Sequence, residues 1–103
     1  MKPSSTIPYE AIILYRKALE QSSKGDHESA LKYLSNSVTL APNFTIALYE
    51  MGHCYEKLGR FHEAVSKFDK VLEINTTHIE AEISRKRVLD KMRADQIMLI
   101  LFF

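Results

Sequence analysis

The sequence is short of the residues that mark several classes of protein. It contains no tryptophan, one cysteine, three glycines and three prolines in 103 residues. So few glycines and prolines argue against an all-β fold, which needs many tight turns. A single cysteine excludes an internal disulfide framework and fits a reducing compartment. We therefore expect a protein of the cytoplasm.

An excess of charge of one sign is lacking as well. The 14 lysines and arginines nearly balance the 13 aspartates and glutamates, so the formal net charge is +1. This balance gives no bulk electrostatic reason to bind nucleic acid or an anionic membrane. The apolar run near the start is short and is broken by Pro8 and Glu10. We expect residues 1–8 to form a loose lead-in and not a secretory signal.

Motifs that carry chemistry are also missing. The sequence has no HExxH, CxxC, P-loop or glycine-rich dinucleotide motif. His53 and Cys54 are sequence neighbours, so on a helix they point about 100° apart, and neither has a metal-binding partner four residues on. We expect no catalysis, no cofactor and no metal site. Cys54 is predicted to pack as a small buried apolar residue.

A basic cluster near the C-terminus raises nucleic acid as a possible partner. It comprises Arg85, Lys86, Arg87, Lys91 and Arg93. Acidic residues are interleaved with it, namely Glu80, Glu82, Asp90 and Asp95. The mixture favours a solvated face with ion pairs, and we expect no nucleic acid as partner.

The positive signal is helical periodicity, with five segments in which apolar residues recur every three or four positions. Gly25, Pro42 and Gly59 separate the first four segments, and residues 75–78 precede the fifth. The predicted helices cover residues from 9, about 27–40, 45–58, 61–74 and from 79 to about 92.

The first four helices repeat with an offset of 34 residues. The offset superposes Ile12 on Ile46, Leu14 on Leu48, Tyr15 on Tyr49, Gly25 on Gly59 and Ala30 on Ala64. The repeated unit is a helix, a glycine turn and a second helix. One such hairpin cannot bury its own apolar face, so hairpins must stack on neighbours.

The second unit resembles the tetratricopeptide repeat. It reads Leu48-x2-Met51-Gly52-x2-Tyr55-x3-Gly59-x-Phe61-x2-Ala64-x3-Phe68-x2-Val71. Gly52 and Ala64 are small where the two helices are expected to cross closely. In the first unit, Lys17 and Gln21 depart from the pattern by standing where an apolar residue and a tyrosine are expected.

The resemblance implies an all-α fold, a right-handed α-solenoid of antiparallel helix hairpins with five helices. Its repeats would cover about 11–44 and 45–78, followed by a capping helix from 79, within a domain of residues 9–93. It also implies a non-catalytic protein–protein interaction module with a scaffold or assembly role. The partner, a peptide or helix of another protein, would bind in a concave groove lined by the first helix of each hairpin. Carried over to this sequence, the groove residues are Ile12, Tyr15, Arg16, Leu19, Ile46, Tyr49, Glu50, His53, Lys57, Ile83, Arg87 and Lys91.

The groove positions also bear on the kind of partner. Family members that bind the acidic C-termini of heat-shock chaperones use lysine, asparagine and arginine there. The matching positions here are Tyr15, Leu19, Glu50, Glu80 and Ser84, none of which is basic. We therefore expect an apolar, aromatic groove, with Arg87 and Lys91 able to meet a carboxylate at one end. Tyr15 and Tyr49 either contact the partner or pack on each other between hairpins.

The apolar C-terminal tail, residues 94–103, has its own interpretation. Seven consecutive apolar residues are too few to span a bilayer, and leaving them all in water is costly. The tail either extends the last helix and packs over the second hairpin, or lies against another copy or in another chain's groove. Self-association, including a homodimer, is thus the alternative function, through Ile97, Met98, Leu99, Ile100, Leu101, Phe102 and Phe103.

Overall fold

The computed structural model describes residues 6–102, and it contains the five predicted α-helices. They are α1 (Tyr9–Ser23), α2 (His27–Leu40), α3 (Thr45–Lys57), α4 (Phe61–Ile74) and α5 (Ile79–Phe102). No strand occurs within residues 6–102, so the all-α prediction is confirmed. Residues 1–5, most of the predicted lead-in, and Phe103 of the tail lie outside the described residues.

The two glycine turns have the same geometry, which explains the 34-residue repeat. Gly25 and Gly59 have φ values of 85° and 77°, a left-handed conformation that costs glycine little. After each glycine, the next backbone amide bonds back to the preceding helix, Asp26 to Gln21 and Arg60 to Tyr55, at 2.9 and 2.8 Å. This pattern ends a helix and turns the chain back, so each repeat becomes a hairpin.

The hairpins pack side by side. Helix α1 packs on α2 and α3 on α4, while α2 contacts α3 and α4 contacts α5. The core runs through the stack and includes Leu34, Phe68 and Val88, all with almost no exposure. Gly52 permits the close approach of α3 and α4, because a Cβ atom there would lie 2.5 Å from the Phe68 ring. The predicted need for a small residue at Gly52 is confirmed.

The last helix continues well past the predicted capping segment. Met92 is the last residue of α5 that packs against the core, and every described residue after it is exposed. The prediction that the tail packs over the second hairpin is therefore wrong. The reason is geometric, because the start of α4, at Phe61, lies beside the segment from Leu89 to Gln96, and the described residues from Ile97 onward extend past it and are all exposed. No helix within residues 6–102 has both the length and the apolar character needed to cross a bilayer.

Candidate partner-binding face

Helices α1, α3 and α5 are the first helices of successive units, and side chains link them in sequence. The Tyr15 ring of α1 packs on Phe44, the residue just before α3, with ring centroids 5.4 Å apart. The Tyr49 hydroxyl of α3 lies 3.5 Å from the Ser84 hydroxyl of α5. We call the twelve groove residues named above, all on these three helices, the first-helix face.

The first-helix face contains one exposed aliphatic side chain on each helix. Leu19 on α1, Ile46 on α3 and Ile83 on α5 are 37%, 47% and 59% exposed. Ile12 and Tyr15 are half-buried. Apolar area is thus available to a partner on all three helices.

The two tyrosines of the face do not pack on each other. The ring of Tyr49 instead packs on His53, Phe68 and His78, at centroid distances of 4.6, 5.8 and 5.2 Å. Tyr15 packs on Phe44, as described above. Both tyrosines are half-buried, so each has a packing role and still keeps part of its surface open.

A buried carboxylate joins α3 to α5. Glu56 is only 8% exposed. Arg87 donates to both of its oxygens, from Nε to Oε2 at 2.9 Å and from Nη2 to Oε1 at 2.8 Å. Lys91 Nζ donates to Oε2 at 2.7 Å. These donors, Arg87 first, outweigh burial and hold the pKa of Glu56 at about 2, while the carboxylate raises the pKa of Arg87.

This cluster bears on one expectation about the face. Arg87 and Lys91 bind a carboxylate of the chain itself, and that they also meet a carboxylate of a partner stays a prediction. The sequence offered a signal for this pairing. Glu56 lies four residues after the buried Gly52, on the core side of α3, where an acid requires a cationic partner. Arg87 and Lys91, four residues apart on α5, can reach one site together.

Burial shifts the pKa of three further groups of the face. It lowers the pKa of His53, whose Nδ1 lies 3.9 Å from Glu56, and so favours the neutral imidazole. It raises the pKa of Glu50, and together with Glu50 it raises the pKa of Tyr15. Arg16 and Lys57 are exposed and form no ion pair within residues 6–102. The open part of the face therefore combines the three exposed aliphatic side chains with exposed cationic ones, Arg16 and Lys57 among them.

Cys54 packs in the core, and His78 caps a helix. Cys54 is 1% exposed, as predicted, and burial raises the pKa of its thiol to about 11, which opposes formation of a nucleophilic thiolate. His78 Nδ1 accepts a hydrogen bond from the Ala81 amide and so caps α5. His62 is exposed. Across residues 6–102, no group of three histidine, cysteine, aspartate or glutamate side chains could hold a metal ion.

The basic residues of α5 form ion pairs. Arg85 pairs with Asp69 of α4, while Lys86 and Arg93 approach Asp90 at 3.5 and 3.2 Å. The predicted solvated, ion-paired face is thus present, with Asp69 as an additional partner. That nucleic acid is not a partner stays a prediction.

Two stacked helix hairpins with glycine turns at a 34-residue period define a helical repeat protein. Tetratricopeptide repeat models match residues 10–44 and 45–78, which together include all of the first four helices except Tyr9. The chain belongs to the tetratricopeptide repeat family. The predicted α-solenoid of helix hairpins is confirmed.

Similar proteins include both curated relatives and solved structures. DnaJ homolog subfamily C member 3 of Rattus norvegicus is 31% identical over 90 residues, which cover 87% of this chain and 17% of that protein. Photosystem I assembly protein Ycf3 of Acaryochloris marina is 36% identical over 61 residues, covering 59% of this chain and 37% of the relative. The structure of MamA (41-end) from Desulfovibrio magneticus RS-1 superposes with a TM-score of 0.82 at 28% identity. That superposition covers 89% of this chain and 52% of MamA. The chain thus spans only a part of each of these proteins.

Proposed function

We propose that this chain is a non-catalytic module that binds an apolar segment of a partner protein on its first-helix face, in a scaffold or assembly role. The observation that carries the proposal is the set of exposed aliphatic side chains, Leu19, Ile46 and Ile83, one on each of α1, α3 and α5. Membership of the tetratricopeptide repeat family supports it. The name of the relative Photosystem I assembly protein is in keeping with an assembly role.

The charges of the face indicate what kind of segment binds. Glu56 already neutralises one of the two positive charges of Arg87 and Lys91, so a second carboxylate would meet a smaller net positive charge there. Glu50 is half-buried and would repel an acidic ligand whenever it is ionised. An apolar segment, bound as an extended peptide or a short helix, fits this face better than an acidic C-terminus does.

Display of random peptides on phage, selected against the immobilised chain, tests the proposal. We expect the selected peptides to be rich in aliphatic and aromatic residues and poor in aspartate and glutamate. Ile46→Asp and Ile83→Asp should each weaken binding of a selected peptide at least tenfold, since each places a charge in the apolar contact. Both side chains are exposed, so neither change disturbs the core.

Leu40→Asp is the matched control. Leu40 is 49% exposed, which is similar to the 47% exposure of Ile46. Unlike Ile46, it lies at the end of α2, the second helix of a hairpin. Peptide binding should be unchanged in this variant. Selected peptides that tolerate Ile46→Asp and Ile83→Asp but are lost in Leu40→Asp would place the site on another face and contradict the proposal.

Self-association through the tail is the second candidate function. Its support is the exposure of Ile97, Met98, Leu99, Ile100, Leu101 and Phe102, which lies between 50% and 78%. A run of six exposed apolar residues on a monomer is typical of an interaction surface. A cytoplasmic location stays a prediction from the sequence.

A further inference from the structure

His53 lies where α3 meets α5. Its ring packs at nearly a right angle against the rings of Tyr49 and Phe68, with centroids 4.6 and 5.7 Å apart. The side chain of His53 is 31% exposed, so water still reaches it. A proton can therefore bind to this imidazole, while the surroundings of the ring determine what the positive charge costs.

The neighbouring carboxylate of Glu56 connects the two helices. Its Oε1 accepts a hydrogen bond from Arg87 Nη2 at 2.8 Å, and its Oε2 accepts from Arg87 Nε and Lys91 Nζ. His53 Nδ1 lies 3.9 Å from the same Oε1, which is longer than a hydrogen bond. While His53 is neutral, the three donors to Glu56 thus all come from α5.

A proton on His53 changes what Glu56 can bind. The imidazolium carries an N–H on both ring nitrogens, so Nδ1 becomes a donor three residues before the carboxylate on the same helix. It then competes with Arg87 Nη2 for Oε1 and exchanges a contact between two helices for one within α3. The added positive charge is also opposed by the charges of Arg87 and Lys57.

Burial and the surrounding charges together favour the neutral ring. Desolvation has the largest effect on the pKa of His53 and lowers it, while Glu56 raises it and Arg87 and Lys57 lower it further. Helix α4 presents the uncharged ring of Phe68. The titratable groups around the ring are Tyr49, Glu56, Lys57, Arg87, Lys91 and His78, the last of which packs on the same Tyr49 ring. Glu56 itself stays ionised wherever histidines titrate, because its pKa is about 2.

We propose that His53 makes the contact between α3 and α5 sensitive to pH. With a neutral ring, Glu56 holds Arg87 and Lys91, and with a protonated ring part of that hold passes to His53 within α3. Because the folded state favours the neutral ring, the stabilisation is complete above about 6.5, the value for unfolded histidine, and is lost as the pH falls below it. This contact joins the helices that carry Ile46 and Ile83, and its pH dependence can be measured without any partner.

Urea unfolding of the full chain at pH 7.5 and 5.5, followed by circular dichroism, measures the effect. His53→Phe keeps an aromatic ring beside Tyr49 and Phe68 but cannot take up a proton. Lowering the pH should raise the unfolding equilibrium constant of the wild type at least about twofold more than that of His53→Phe. His53→Gln, which is polar and uncharged, should respond as His53→Phe does. The control is His62→Gln, which removes an exposed histidine of α4 and should retain the wild-type response.

NMR spectroscopy of the folded wild type shows where the proton acts. The ring signals of His53 should titrate with a midpoint below about 6.5, the value for free histidine. The Nε–Hε signal of Arg87 should shift with the same midpoint, because its acceptor Glu56 is shared. In His53→Phe the Arg87 signal should stay in place over this range.

Three results would overturn the proposal. Equal pH responses of the wild type and His53→Phe would show that His53 does not contribute. A His53 ring that titrates while the Arg87 signal stays unchanged would show that the proton does not act on α5. A midpoint at or above that of free histidine would reverse the expected direction of the effect.

Discussion

The substitution Glu56→Gln is expected to weaken the attachment of α5. The carboxylate of Glu56 is nearly buried and accepts three hydrogen bonds from Arg87 and Lys91. Glutamine keeps the size and one acceptor oxygen, but it loses the charge and replaces the other oxygen with an NH2 donor, so the change removes the ion pair together with at least one of the three hydrogen bonds. Glu56 is on α3 and both donors are on α5, so the loss falls on the junction between the second repeat and the last helix.

The magnitude follows from the titration of the carboxyl. A pKa lowered from 4.5 to about 2 corresponds to about 3 kcal/mol, at 1.36 kcal/mol for each pH unit. The side chains of Arg87 and Lys91 are 42% and 48% exposed, so water screens part of the attraction. We expect Glu56→Gln to lower the free energy of unfolding by about 2 kcal/mol at pH 7.

The pH dependence of this loss gives a second check. The pKa is lowered in the folded state, so the stabilisation is complete above the unfolded value of 4.5 and disappears as the pH falls through about 2. Urea titrations followed by circular dichroism should show wild type and Glu56→Gln converging over this range. Glu73→Gln removes an exposed i, i+3 pair with Lys70 and should cost less than about 0.5 kcal/mol. A loss at pH 7 no larger than that of Glu73→Gln, or one unchanged at pH 2, would refute the assigned role of Glu56.

Three further predictions concern the core. Gly52→Ala should lower the free energy of unfolding by about 1–3 kcal/mol, because the added Cβ would lie 2.5–2.8 Å from ring atoms of Phe68. Combining it with Phe68→Leu in a double-mutant cycle should recover part of that loss, and full additivity would contradict the clash. Ser37→Ala should cost about 1 kcal/mol in urea unfolding, since the buried Ser37 hydroxyl donates to a backbone carbonyl of α1 at 2.7 Å. Thr39→Ala, which removes an exposed hydroxyl bond within α2, is its control and should be near neutral. Cys54, with its thiol pKa raised to about 11 by burial, should react slowly with Ellman's reagent at pH 8 and rapidly in urea, whereas fast native reaction would show that α3 is open.

The helices and turns could be predicted from the sequence because their causes are local. Gly25 and Gly59 adopt left-handed backbone conformations, and their 34-residue separation sets the hairpin period. Three helix ranges, those of α2, α3 and α4, agree with the structure to within one residue, and α1 and α5 start where expected. The small residue Gly52 predicts from the sequence alone that two helices approach closely, and its position against the Phe68 ring agrees with this.

The side-chain contacts between units could be predicted only in part. Helical periodicity assigns a residue to a face of its own helix, but it does not say which residue of another helix lies opposite. Glu56 and Arg87 are 31 residues apart, and their contact depends on how α5 packs against the second repeat. Phe44, which packs on Tyr15, precedes its helix and so fell outside the periodic pattern. Which twelve residues meet a partner is still a prediction.

The tail shows how the two halves of α5 differ in physical character. In the first half, Ala81, Ser84 and Val88 are buried on one side, and the opposite side carries paired charges such as Arg85 with Asp69. That half covers the end of the repeat stack and presents a polar surface to water, as a terminal helix of a solenoid must. The second half has neither a buried side nor a charged one from residue 97 onward. A helix that is apolar on all sides is typical of an enclosed position, so contact between the tail and another molecule stays a prediction, while its exposure shows that it adds little to the packing of this fold.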